Sequence, residues 1–146
     1  MPGILVGIDG SGHSQRALEW AMKEASLRNV PVTVLAVHQA VRGFFSETTN
    51  FPGDAELTEQ VRTAAQAETD KVLSQLGDAR PASVTVTAVN GLPVEEIVNA
   101  SRNADIVVVG SRGAGGFSRL LLGSTSAQVA EHAHCPVLIV PAENRS

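Results

Sequence analysis

The chain has no tyrosine, one tryptophan, four phenylalanines and one cysteine among its 146 residues. So few aromatic rings leave little for stacking nucleobases along a strand, and 11 Lys plus Arg against 15 Asp plus Glu give a net charge of −4. Neither feature suits a nucleic-acid-binding face. A lone Cys135 cannot close an internal disulfide, which fits a reducing, cytoplasmic setting. No apolar run approaches the length that spans a bilayer, and Met1-Pro2-Gly3 leads into a strand too short to be a signal peptide. What remains is a composition 43% hydrophobic and 18% charged, that of a globular protein read as one domain over 1–146.

Apolar runs of strand length alternate with helix-period segments, the pattern of a parallel α/β sheet. The candidate strands are Ile4–Ile8, Val32–Val37, Val84–Val89, Ile106–Val109 and Val137–Val140. Most are rich in valine and isoleucine without polar alternation, as expected of strands covered on both faces. Val84-Thr85-Val86-Thr87-Ala88-Val89 does alternate, which places it near a sheet edge. Leu18, Ala21, Met22 and Ala25 recur at helical spacing, with Ser11 or Ser14 to cap the start and Asn29 to end the helix. Leu57, Val61, Ala65, Val72 and Leu76 trace a second helix from Asp54 to Leu76. A third begins at Pro93, with Glu95 and Glu96 complementing its dipole and Val94, Ile97 and Val98 facing inward. The last runs from Ser124 to Ala133. The segment His38–Gly53, with Phe44, Phe45 and Phe51, fits neither period and reads as a long loop.

Chemistry concentrates in Gly110-Ser111-Arg112-Gly113, which follows Ile106-Val107-Val108-Val109 and precedes Gly123-Ser124-Thr125-Ser126. A buried strand, a glycine loop and a hydroxyl-bearing helix N-terminus attract an anion through backbone N–H groups and the helix dipole. Asp9-Gly10-Ser11-Gly12 follows the first strand in the same way. In an open α/β sheet both turns lie at the ligand-binding ends of the strands, facing each other if strands one and four are neighbours. Arg112 and Arg119 either neutralise phosphate charge or are merely solvated. His13, His38, His132 and His134 have no metal-site spacing, and His132 and His134 suit a helix C-terminus. Cys135 reads as a small buried residue, and Trp20 as packed on the sheet or partly exposed.

Val6-Gly7-Ile8-Asp9-Gly10-Ser11, Gly91-Leu92-Pro93, the Gly110-x2-Gly113-x9-Gly123-Ser124 signature and the ending Cys135-Pro136-Val137-Leu138-Ile139-Val140 make the whole chain resemble the ATP-binding branch of the universal stress protein family. The resemblance implies a Rossmann-like, three-layer α/β fold, an open twisted five-stranded parallel sheet in the order 3-2-1-4-5 with helices on both faces. It also implies an adenine nucleotide in the crevice and a homodimer through Val137, Leu138, Ile139 and Val140. Carried over by position, Asp9 would bond the ribose or help hold Mg²⁺, where a helix cap or turn is the plainer role. Val37 and Val109 would sandwich the adenine, or are simply core. Gly10, Ser11, Gly110, Arg112, Gly113, Gly123, Ser124, Thr125 and Ser126 would cradle ribose and phosphates. The implied function is an ATP-binding, nucleotide-dependent stress-response regulator. No Walker lysine follows the glycines and no base is placed to activate water, so hydrolysis is at most weak. The alternatives are a module for AMP or cyclic AMP, or an ATP-activating enzyme, since Asp9-Gly10-Ser11-Gly12-His13-Ser14 bears a fainter similarity to the pyrophosphate loop of ATP pyrophosphatases.

Overall fold

The structure, a computed structural model, describes residues 3–8, 15–38, 54–111 and 124–141. Its elements are β1 (Ile4–Ile8), α1 (Gln15–Arg28), β2 (Val32–His38), α2 (Asp54–Ser74), β3 (Val84–Asn90), α3 (Pro93–Ala100), a short 3-10 turn (Ser101–Asn103), β4 (Ile106–Gly110), α4 (Ser124–His132) and β5 (Val137–Val140). The five strands form one parallel sheet in the order β3-β2-β1-β4-β5, so the alternating Val84–Asn90 strand does lie at an edge.

Alternation along each strand sorts the core into two layers. Ile4, Val6 and Ile8 of β1 and Val32, Val34 and Ala36 of β2 pack against α1 and α2 through Leu18, Ala21, Met22, Ala25 and Ala65. Leu5, Leu35, Val37, Val107 and Val109 point the other way, onto Ile97 of α3 and Val129 of α4. The valine-rich strands are therefore covered on both faces, which their unbroken hydrophobicity requires. Trp20 is half-buried against the α1/α2 layer.

Helix ends follow local chemistry. Asn29 adopts φ 61° immediately after α1, and the Val30 N–H reaches back to the Ala25 carbonyl at 3.1 Å. This is a left-handed helix stop that asparagine tolerates well. Pro93 opens α3, and the Glu96 carboxylate folds back so closely that a Cβ on Gly91 would stand 2.6 Å from its Oε2. An acidic group there complements the helix dipole.

Several boundaries differ from the sequence expectation. β2, β3 and β4 each run one residue further, because the pairs His38↔Asn90 and Gly110↔Val140 continue the ladders. His38 thus belongs to a strand, not to a loop; residues 39–53, including Phe44, Phe45 and Phe51, lie outside the described residues. α2 stops at Ser74 instead of Leu76, since Gln75 and Leu76 donate to Val72 and Leu73 in tighter i to i+3 bonds. α4 stops at His132, one residue before Ala133. Leu57, expected on the buried stripe of α2, is 40% exposed.

Candidate functional site

Strand order reverses between β1 and β4, because β2 and β3 extend the sheet on one side and β5 on the other. Connections leave β1 and β4 towards opposite faces, α1 on one and α4 on the other, the arrangement that in open α/β sheets places a ligand outside the carboxyl ends of the strands. Gly110 ends β4 there, and Ser111 follows it with its N–H donated to the Val140 carbonyl at 2.9 Å.

The expected site residues divide three ways. Asp9, Gly10, Ser11, Arg112, Gly113 and Gly123, with Arg119, lie outside the described residues. Ser124, Thr125 and Ser126 form the first turn of α4, whose N–H groups lack intrahelical partners. Ser124 is exposed and Thr125 half-buried, whereas the buried Ser126 donates its hydroxyl to the Ser111 carbonyl at 3.4 Å. That bond ties the start of α4 to the exit of β4, so Ser126 positions the turn that Ser124 and Thr125 present.

Val37 and Val109 are 5% and 4% exposed, both within the α3/α4 layer. They stand on strands separated by β1, about 10 Å apart across the sheet. They are also out of register, Val109 standing level with Gly7 and Leu35 and Val37 two residues further along, and Ile97 fills the space over Gly7: a Cβ on Gly7 would stand 2.7 Å from Ile97 Cδ1 and 3.5 Å from Val109 Cγ1. The absence of a side chain at Gly7 is what lets α3 approach β1 closely.

Open space at the strand ends lies on the other face. A cleft of about 460 Å³ runs between α1, α2 and the ends of β1 and β2, floored by Ile8, Ala36, Val61 and Ala65, with Val37 in its wall. Gln15, His38, Glu68 and Lys71 stand around it. The His38 Nε2 lies 2.9 Å from the Thr58 Oγ1, joining the last residue of β2 to the first turns of α2. The His38 carbonyl also accepts the Gly91 N–H at 2.8 Å. Sequence reasoning gave His38 no role at the site; its signal was a polar residue ending a buried strand beside the switch point.

Titration adds little to this picture. Cys135 is half-buried rather than buried, and desolvation pushes its thiol above the ordinary value of 9.0 despite an opposing backbone hydrogen bond from Val107, which does not suit a nucleophile. Among the described residues no group of three or more His, Cys, Asp or Glu side chains stands together to hold a metal ion. The carboxylate assigned to Mg²⁺, Asp9, is outside them. Also among the described residues, no helix is long and apolar enough to cross a membrane.

With the geometry in place, the kinship is plain. A protein of Mycobacterium tuberculosis named universal stress protein is 37% identical over 98% of this chain and 49% of its own length. The chain therefore spans about half the length of the curated relatives it matches. The solved structure of the protein MJ0577 superposes with a TM-score of 0.73 at 27% identity, covering 98% of this chain and 97% of that one. A universal stress protein crystallised in complex with cAMP superposes at 0.67, also at 27% identity, over 97% of this chain and 98% of its own. Residues 2–141 match the universal stress protein family, to which this chain belongs.

Proposed function

We propose that the chain is an ATP-binding regulatory protein of the stress response, which holds an adenine nucleotide across the crevice between β1 and β4. The observation that carries this reading is the sheet order, which makes β1 and β4 neighbours at the point where the order reverses. The C-terminal ends of β1 and β4, which the two glycine-bearing stretches of the sequence follow, then stand on neighbouring strands. A relative in complex with cAMP supports adenine as the base. The polyphosphate half rests on the run from Gly110 to Ser126, where glycines admit the backbone and the N-terminus of α4 attracts negative charge.

Mg²⁺ would arrive with the phosphates and Asp9, a hard cation on oxygen ligands, neutralising phosphate charge. Without a Walker lysine or a placed base, nucleotide occupancy carries the function and hydrolysis is at most weak. Residues 1–146 act as one domain in the cytoplasm, and two copies pair through Val137–Val140, an apolar edge that a second chain would cover.

The cAMP complex also favours a second reading, a module for AMP or cAMP. Equilibrium binding of ATP, AMP and cAMP, with and without Mg²⁺, separates the two. Saturable ATP binding strengthened by Mg²⁺ is expected. No ATP binding up to millimolar concentration, with cAMP bound, moves the assignment to the second reading.

A further inference from the structure

We infer that Arg16 is a positioning residue that ties the nucleotide site to the edge strand β5, so that filling the site stiffens that strand. The inference rests on the nucleotide reading above and adds to it the route by which occupancy is felt at the sheet edge.

Two bonds make the link. The Arg16 Nη1, in the first turn of α1, donates to the Pro141 carbonyl at 3.2 Å, across 125 residues of sequence. The Ser111 N–H donates to the adjacent Val140 carbonyl at 2.9 Å. In the sequence, α1 follows the Asp9-bearing stretch, and Ser111 belongs to the glycine run after β4. Each stretch assigned to the nucleotide is therefore continuous with a donor, and the two donors meet consecutive carbonyls at the exit of β5. Ser111 reaches further, because its own carbonyl accepts the Ser126 hydroxyl from the first turn of α4. One residue thus bridges β5 to the helix start that attracts phosphate.

Arg16 differs in this from the other cations of its helix. Lys23 and Arg28 pair with Glu19 and Glu24 one turn away, which braces α1 alone. The Arg16 bond instead joins α1 to the far edge of the sheet, and its charged donor makes it stronger than a neutral bond.

The strand that receives these bonds is built to respond. At four residues β5 is the shortest of the described strands, and it pairs with β4 alone. Val137, Leu138 and Ile139 are half-buried, and only Val140 is buried. Short edge strands with few buried contacts open at low free-energy cost, so bonds at the exit of β5 weigh heavily. A bound nucleotide orders the two stretches beforehand, and less entropy is then lost when their donors hold Val140 and Pro141. By linkage, whatever covers β5 tightens nucleotide binding by the same factor.

Amide hydrogen exchange with and without saturating ATP tests the link. The Leu138 and Val140 amides bond to β4 and report opening of β5. Those of Thr85 and Thr87, bonded to β2 at the opposite edge, report the general stabilisation that any ligand brings. ATP should slow Leu138 and Val140 about tenfold more than Thr85 and Thr87. Arg16→Met keeps the stem and loses the donor. If the two bonds share the coupling equally, that excess falls to roughly threefold. Arg16→Lys, which restores a charged donor, should recover part of it. An undiminished excess in folded Arg16→Met, or no recovery in Arg16→Lys, would overturn the role of the Arg16 bond. Equal slowing at both edges of the unaltered chain with ATP bound would overturn the inference and leave the nucleotide reading intact. Absence of saturable binding of ATP and of cAMP up to millimolar concentration would sink that reading and this inference with it.

Discussion

The backbone N–H of His134 donates to the Ser101 hydroxyl at 2.9 Å, across 33 residues of sequence. The same hydroxyl donates to the Val98 carbonyl at 2.6 Å, and Ser101 is 1% exposed. One side chain thus fastens the end of α3 to the turn that delivers β5. Replacing it with alanine removes both bonds and leaves the His134 N–H without its partner. Ser101→Ala should lose about 1–3 kcal/mol of stability. Urea unfolding with an unchanged slope and a lower midpoint checks this; an unchanged midpoint would show the clasp contributes nothing.

Thr69 presents the opposite case. Its side chain on α2 is 0% exposed, and its Oγ1 has no hydrogen-bond partner. A threonine in a helix usually satisfies this group on the carbonyl one turn back. A buried hydroxyl left unmatched carries a desolvation penalty that an isosteric methyl does not. Thr69→Val should therefore raise stability by about 1 kcal/mol. Thr69→Ser, which keeps the hydroxyl and leaves a small void, should lower it. Denaturant midpoints of the two variants must move in opposite directions for the orphan hydroxyl to be the cause.

These two residues also show where sequence stops being informative. Hydrophobic period reports which way a side chain faces, so Leu18, Ala21, Met22 and Ala25 could be assigned to a buried face and are all at or near zero exposure. Residue chemistry with a local consequence was equally legible: Asn29 stops α1, Pro93 starts α3, and the alternating Val84–Asn90 strand lies at an edge. Partners distant in sequence were not legible. Nothing in the pattern pairs Ser101 with His134, or His38 with Thr58, because periodicity carries no information about which element packs opposite. The site was legible as a run of residue types in order, but not as a volume. Val37 was expected to end β2, which runs on to His38, and the open space beside it depends on alanines of α2 whose small size has meaning only once α2 is seen above β1 and β2.

Gly7 had a readable signal that its apolar neighbours obscured. A glycine inside a buried strand marks a close approach, and here the approaching group is Ile97 Cδ1, 2.7 Å from where a Cβ would stand. Gly7→Ala should cost about 1–3 kcal/mol through overpacking. Ile97→Val removes the offending carbon and by itself should cost about 0.5–1.5 kcal/mol. In the double variant the two penalties should not add, since the valine vacates the space that alanine needs. A coupling energy indistinguishable from zero in the four-protein cycle would mean that the strain at Gly7 lies elsewhere.

The proposed dimer edge can be tested through the backbone alone. The Val107 N–H bonds the Pro136 carbonyl and the Ser111 N–H bonds the Val140 carbonyl, both at 2.9 Å. In a parallel ladder the bonding residues alternate, so even-numbered residues of β5 face β4, and Val137 and Ile139 turn their N–H groups to the free edge. Proline at 139 deletes an outward donor without removing a bond to β4, the one strand setting that tolerates it. Ile139→Ala removes the same side-chain packing but keeps that donor. If two copies pair strand to strand here, sedimentation should show a dimer for the unaltered chain and for Ile139→Ala. Ile139→Pro should sediment as a folded monomer, because its edge can no longer complete the inter-chain ladder. A dimer that persists in Ile139→Pro would place the contact on side chains or on another surface, and a monomeric unaltered chain at micromolar concentration would remove the dimer altogether.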